Sequence, residues 1–185
     1  MRQHTILFVD DEENILSSFK RLLRNENYTI LTLNNPREVK GIMEHTVVSL
    51  IISDQRMPQM NGLDLLKEVK ELYPDTVRIL LTGYADVQVA IQAINEGGVY
   101  RFISKPWSDE ELRIAIRQSL AYYSLIMDNK VLLQMVQKQK DTLNEVQNKY
   151  PDVADLPQMK DGAYVIENQQ ESLEDFMKRY FPKKE

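Results

Sequence analysis

Four apolar residues, Ile6-Leu7-Phe8-Val9, run without interruption and stop at two acids, Asp10 and Asp11. A strand wetted on one face alternates apolar with polar residues, whereas an unbroken run marks a strand covered on both faces, as in a parallel sheet. Similar runs recur at Thr29–Leu33, Leu50–Ser53, Val77–Leu81 and Val99–Ile103. Between them the apolar spacing changes to that of helices: Ile15, Phe19, Leu22 and Leu23; then Val39, Ile42 and Met43; then Leu63, Leu66, Val69 and Leu72; then Val87, Ala90, Ile91 and Ile94. Gly97-Gly98 closes the last of these as a C-cap would. Alternation of this kind predicts an α/β fold with a parallel, doubly wound sheet, right-handed crossovers, and a crevice at the carboxyl ends of the strands where function should sit.

The chain then changes character. Ser108 followed by Glu111 reads as a capping box, and helix formers continue without Gly or Pro as far as Tyr150, where Pro151 intervenes. A helix of that span would be roughly 60 Å long, more than one crossover needs, so a long C-terminal helical extension is expected. Tyr122, Asn129, Val136, Leu143 and Tyr150, with Ile126, Leu133, Lys140 and Gln147, outline an imperfect coiled-coil seam. A homodimer through this helix is the expectation, and folding back onto the domain is the alternative. In residues 151–185, Pro151 and Pro157 flank an acidic turn, Asp161-Gly162 precedes a strand-like Ala163–Ile166, and Leu173, Phe176, Met177 and Tyr180 share a face of a last helix. Such a segment is too short to bury a core alone, so it is expected to dock on the body, a second subunit or a partner. The expected organisation is a domain over residues 3–125, an extended helix over 126–150 and a small docking tail over 151–185.

Charge and cysteine content narrow the function. Residues 1–107 carry 12 basic and 14 acidic side chains and residues 108–185 carry 11 and 14, so neither half holds a basic field for nucleic acid or an anionic membrane. The absence of cysteine excludes disulfides, thiolate zinc sites and thiol nucleophiles. The start, Met1-Arg2-Gln3-His4, does not read as a signal peptide, and no apolar run approaches membrane-spanning length. A soluble cytoplasmic protein is expected. His4, ahead of the first strand, and His45, at the end of a polar helix, are both expected to be solvated and to ligate nothing.

The polar residues that end the strands carry the chemistry. Asp10 and Asp11 follow the first strand, Asp54 the third, Thr82 the fourth and Lys105 the fifth, and all fall in the predicted crevice. Three carboxylates there form a hard, oxygen-lined site for a cation of the magnesium type, which also binds phosphate oxygens. Asp54, central among them, would be a nucleophile, with Lys105 and the Thr82 hydroxyl contacting an incoming phosphoryl group as it gains charge. Singly, each residue has a plainer role: Asp11 a helix cap, Thr82 a β-branched strand terminus, Lys105 a solvated cation, Asp54 the start of an Asx turn before Pro58. Those plainer roles would have to coincide, independently, at the ends of four strands.

Over roughly residues 3–125 the chain resembles the response-regulator receiver domains of two-component signalling. The resemblance rests on Val9-Asp10-Asp11-Glu12, on Ser53-Asp54-Gln55-Arg56-Met57-Pro58-Gln59-Met60-Asn61-Gly62, on Leu81-Thr82-Gly83, and on Phe102-Ile103-Ser104-Lys105-Pro106-Trp107. It implies a flavodoxin-like five-stranded sheet of order 2-1-3-4-5, and phosphoryl transfer from a sensor histidine kinase to Asp54 with Mg2+. It further implies magnesium ligands at Asp11, Asp54 and the backbone carbonyl of Arg56, with Asp10 acting through water, a switch pair of Thr82 and Phe102, and a cis Lys105-Pro106 peptide. Arg56 and Tyr84 occupy positions that tune loss of the phosphoryl group in this family, and both are bulky, which implies slow dephosphorylation. The wording around Asp54, Thr82 and Lys105 is similar to receivers linked to HD-GYP and other cyclic-dinucleotide outputs, but two histidines cannot build an HD-type metal centre, and no cyclase motif occurs.

The resulting expectation is a non-enzymatic phosphoacceptor that signals through its switch surface and long helix to a dimer or an unknown downstream protein, with no direct nucleic-acid or membrane contact. A constitutive interaction scaffold is the alternative. A haloacid-dehalogenase-type phosphohydrolase would need a carboxylate two residues after the nucleophile, where Arg56 stands.

Overall fold

The computed structural model describes residues 3–83, 91, 94 and 98–149. The expected fourth helix with its Gly97 cap, Tyr84, Tyr150 and the tail 151–185 lie outside them, apart from the isolated positions 91, 94 and 98. Five strands, β1 (His4–Val9), β2 (Tyr28–Leu33), β3 (Leu50–Asp54), β4 (Val77–Gly83) and β5 (Arg101–Lys105), form one sheet of order β2-β1-β3-β4-β5. Every pairing is parallel. The described helices are α1 (Glu13–Leu22), α2 (Val39–His45), α3 (Gly62–Leu72) and α4 (Asp109–Lys149), with a short 3-10 turn at Pro36–Glu38.

The continuous apolar runs are explained by two cores, one on each face. Ile6, Phe8, Ile52, Ile79, Leu81 and Ile103 face a core completed by α1 and the first part of α4. Leu7, Val9, Ile51 and Leu80, the alternate positions, face a second core completed by α2 and α3. Successive strand side chains point to opposite faces, so a strand buried on both sides has no polar alternation to show. Phe8 stacks on Phe19 of α1 at 3.9 Å, tying β1 to the helix that follows it.

Several local expectations shift. β5 starts at Arg101 rather than Val99: its pairing with β4 begins at Arg101 opposite Ile79, and Val99 is buried in the loop before the strand. Leu72 is exposed and Leu65 takes its place on the buried face of α3. No Asp11 side chain caps α1; its N-cap is Glu12, whose N–H is taken by Asp10 Oδ1 at 2.9 Å. α3 is capped by Asn61, whose Oδ1 accepts from Leu63 N–H at 2.8 Å. His4 is half-buried rather than solvated: Nδ1 lies 3.3 Å from Ser49 Oγ, Nε2 lies 3.4 Å from Ser124 Oγ, and the ring meets Tyr123 edge-on.

α4 begins as expected, with Ser108 Oγ accepting from Glu111 N–H at 3.1 Å. Leu112, Ala115, Ile116, Leu120 and Tyr123 bury its first turns. Tyr122, placed in the seam by spacing, stacks on Tyr100 at 4.6 Å, and Ile126 is half-buried. The chain divides into two units between Asn129 and Lys130. In the second unit, α4 is exposed along residues 130–146, including Leu132, Leu133, Met135, Val136 and Leu143.

Candidate phosphoacceptor site

Three strand ends meet at the carboxyl edge of the sheet. Asp10 follows β1 and is held there by its N–H bond to Leu33 O at 3.1 Å. Asp54 ends β3 in register with Leu81, and Lys105 ends β5 in register with Gly83. Because all strands are parallel, their polar C-terminal residues are delivered to one edge even though they are far apart in sequence.

Lys105 Nζ bridges two carboxylates: it contacts Asp54 Oδ1 directly and lies 3.4 Å from Asp10 Oδ2. Asp10 is fully buried and Asp54 nearly so. Burial pushes the Asp10 carboxyl above its ordinary range, and the Glu12 N–H and the Lys105 charge only partly offset that. Burial works to lower the Lys105 ammonium, but hydrogen bonding and charge from Asp54, with Asp10 behind it, outweigh burial and hold it above its ordinary value. The Lys105 ammonium also sits 5.7 Å from the Trp107 ring centroid, and the Lys105-Pro106 peptide is cis. The second Asp54 oxygen, Oδ2, accepts from Arg56 N–H at 2.7 Å.

The loop after Asp54 is folded tightly against it. Arg56 and Asn61 form an isolated antiparallel bridge, and Gly62 N–H bonds Gln55 O at 3.0 Å. A Cβ at Gly62 would fall 1.8 Å from the Asp54 carbonyl oxygen, so only glycine fits where α3 begins beside Asp54. Ser53 Oγ donates to that same carbonyl at 3.0 Å. The sequence displayed Gly62 at a fixed offset from Asp54, but nothing in the spacing revealed that backbone packs on backbone there. Gln55, buried and one residue past Asp54, likewise has no role that its spacing in the sequence signals.

Thr82 is fully buried at the end of β4, its Oγ1 donating to Gly83 O at 3.3 Å, and Phe102 is half-buried against the α2–α3 core. The structure therefore brings Asp10, Asp54 and Lys105 into direct contact and sets Thr82 on the strand next to Asp54. Asp11 is half-buried, and among the described residues no three acidic or histidine side chains are gathered closely enough to hold an ion. Lys105 provides the positive charge between Asp10 and Asp54. The donors available, carboxylates of Asp10, Asp11 and Asp54 with the Arg56 carbonyl, are all hard oxygens, which is the chemistry a magnesium-type cation takes.

A parallel 2-1-3-4-5 sheet with buried aspartates and a lysine at its carboxyl edge is the architecture of a signalling receiver. Residues 6–117 match the response regulator receiver domain, and the chain belongs to that family. It is 37% identical over 123 residues to the hydrogenase transcriptional regulatory protein HoxA of Bradyrhizobium diazoefficiens, across 66% of this chain and 25% of that one. The signal receiver domain of an HD domain-containing protein from Pseudomonas fluorescens Pf-5 matches with TM-score 0.65 and 39% identity, over 69% of this chain and 94% of that one. A structure described as adenylate cyclase from Rhodopirellula baltica matches with TM-score 0.69 and 30% identity, over 72% and 98% respectively. This chain spans about a quarter of the length of the curated relatives it matches, and the match is to their receiver part. Among the described residues, no helix is long and apolar enough to cross a membrane.

Proposed function

We propose that Asp54 accepts a phosphoryl group from a sensor histidine kinase and that the chain acts as a cytoplasmic phosphoacceptor rather than as an enzyme with turnover on a general substrate. The observation that carries this reading is Lys105 Nζ joining Asp54 Oδ1 to Asp10 Oδ2 at the carboxyl edge of the sheet. Asp54 supplies the attacking carboxylate oxygen, and its new P–O bond forms as the P–N bond to the kinase histidine breaks. Lys105, already on Asp54, is placed to follow the transferred oxygens as they gain charge. Arg56 N–H fixes the second carboxylate oxygen and so orients the group. Asp10, Asp11, Asp54 and the Arg56 carbonyl would hold Mg2+, which when bound neutralises the crowded anions and withdraws charge from the phosphoryl group.

Thr82 and Phe102 are assigned as the switch pair, the threonine hydroxyl leaving the Gly83 carbonyl for the phosphoryl group and the aromatic ring turning inward. The support is the long 3.3 Å bond of a buried hydroxyl and the half-buried ring on the same sheet face. The organisation proposed is a receiver over residues 3–125, a helical connection over 126–150 and a docking tail over 151–185. The exposed apolar residues of α4 support a homodimer through that helix, with an unknown downstream protein as the recipient of the signal and no direct contact to nucleic acid. Phosphorylation acts as a population shift between two arrangements of the switch surface.

Magnesium followed by beryllofluoride, a phosphoryl mimic, tests the reading through Trp107 fluorescence in wild type and Asp54→Ala. A saturable change that needs both additions and Asp54 is the expected result. No change in wild type would leave a receiver fold used as a constitutive scaffold. Light scattering on the same samples reads the dimer.

A further inference from the structure

Among the described residues, two buried side-chain polar atoms have no hydrogen-bond partner: Ser119 Oγ, inside α4, and Gln55 Oε1, next to the acceptor. Gln55 is 5% exposed, so its carbonyl is withdrawn from bulk solvent. Its placement is set by the sheet. The β3–β4 ladder continues one residue past β3 through the Gln55 N–H bond to Leu81 O, which lays Gln55 alongside Thr82. Alternation from Ile51 puts Gln55 on the face that carries Leu80, Thr82 and Phe102, the face of the proposed switch rather than that of Asp54. On that face the described hydrogen bonds include one long bond, from Thr82 Oγ1 to Gly83 O, beside an acceptor with none.

We infer that Gln55 is a positioning residue of the phosphoryl switch: its unpaired, buried amide carbonyl beside Thr82 disfavours the resting arrangement and so biases the chain toward the rearranged one. The inference rests on Asp54 as phosphoacceptor and on Thr82 and Phe102 as the switch pair. A buried acceptor without a donor penalises whichever state leaves it so. The movement of the Thr82 hydroxyl and the Phe102 ring reorganises the very face on which Gln55 lies, and admits a donor to it. Phosphorylation then has less free energy to supply in order to populate the switched state.

Replacing the amide by an apolar chain of matching shape removes the penalty and the bias together. In the full chain, Gln55→Met is expected to raise the melting temperature of the metal-free protein by roughly 2–4 °C. It is expected to weaken beryllofluoride binding in the presence of magnesium, read by Trp107, by roughly five- to tenfold. In a Thr82→Val background the same substitution is expected to change the midpoint by less than about twofold, because the amide acts through the switch. Gln55→Leu repeats the comparison with a second side chain. An unchanged or tighter beryllofluoride midpoint with a raised melting temperature would overturn the inference, since a merely structural amide gives that pattern. A lower melting temperature in both variants would overturn it too. Failure of the wild-type chain to respond to beryllofluoride would instead remove the phosphoacceptor reading beneath it.

Discussion

Replacing Gly62 by alanine would set a methyl carbon 1.8 Å from the Asp54 carbonyl oxygen, 2.8 Å from its carbonyl carbon and 2.9 Å from Ser53 Oγ. The first contact must open from 1.8 Å to at least 3.0 Å, and the atoms that would have to give are backbone on both sides. Asp54 is locked in the middle of the sheet in register with Leu81, while Gly62 is held by its own bond to Gln55 O and begins α3. Overpacking against movable side chains costs about 1–3 kcal/mol, and two fixed backbones place this substitution at the upper end, about 3 kcal/mol. At roughly 2–4 °C per kcal/mol for a chain of this size, the melting temperature should fall by about 6–12 °C. Because strain relieved by moving the loop also moves Asp54 and Arg56, the beryllofluoride midpoint should weaken as well. Gly41→Ala is the control: nothing lies within 4 Å of its added carbon, and an exposed helical glycine replaced by alanine should gain about 0.5–1 kcal/mol. Thermal unfolding followed by far-UV circular dichroism measures both. A Gly62→Ala protein melting within about 2 °C of wild type, with an unaltered beryllofluoride response, would refute the steric argument.

Three further outcomes follow from the site and its scaffold. The Asp10 carboxyl is raised in the folded state, so its protonated form stabilises the fold below the ordinary value of 3.8, and that contribution is lost as pH rises through the folded value. Asp10→Asn should therefore raise the melting temperature of metal-free protein at neutral pH, with a gain that shrinks as pH falls toward 3.8; a gain constant over that window would contradict it. Arg78, half-buried, donates to Gly98 O at 2.9 Å, Thr76 O at 2.5 Å and Pro74 O at 3.3 Å, and burial lowers its pKa. Arg78→Met leaves those carbonyls without their donor and should cost about 2–4 kcal/mol in urea unfolding, where a loss under about 1 kcal/mol would show that water replaces the guanidinium. Leu133→Asp with Val136→Asp changes two exposed seam positions of α4, so the beryllofluoride response should survive while any dimer seen by light scattering dissociates; a persisting dimer would place the interface elsewhere.

Much of this protein was written in local pattern. Unbroken apolar runs such as Ile6–Val9 required strands covered on both faces, and their alternation with helical spacing required a parallel sheet, so the site could be placed at the carboxyl strand ends before any coordinate. Asp10, Asp54, Thr82 and Lys105 were legible for that reason: parallel strands deliver whatever ends them to one edge. Strand and helix periodicity depend on neighbours a few residues apart, which a sequence displays directly. The tertiary structure decided what depends on distance across the fold. It brought Lys105 onto Asp54 and Asp10 together, turned His4 inward between Ser49 and Ser124, and used Tyr122 against Tyr100 rather than leaving it to a seam. It also made Gly62 obligatory and left the Gln55 carbonyl without a donor. Each of these is a contact between residues whose spacing in the chain carries no period, and only the packing of one sheet layer against its helices and loops fixes which atoms meet.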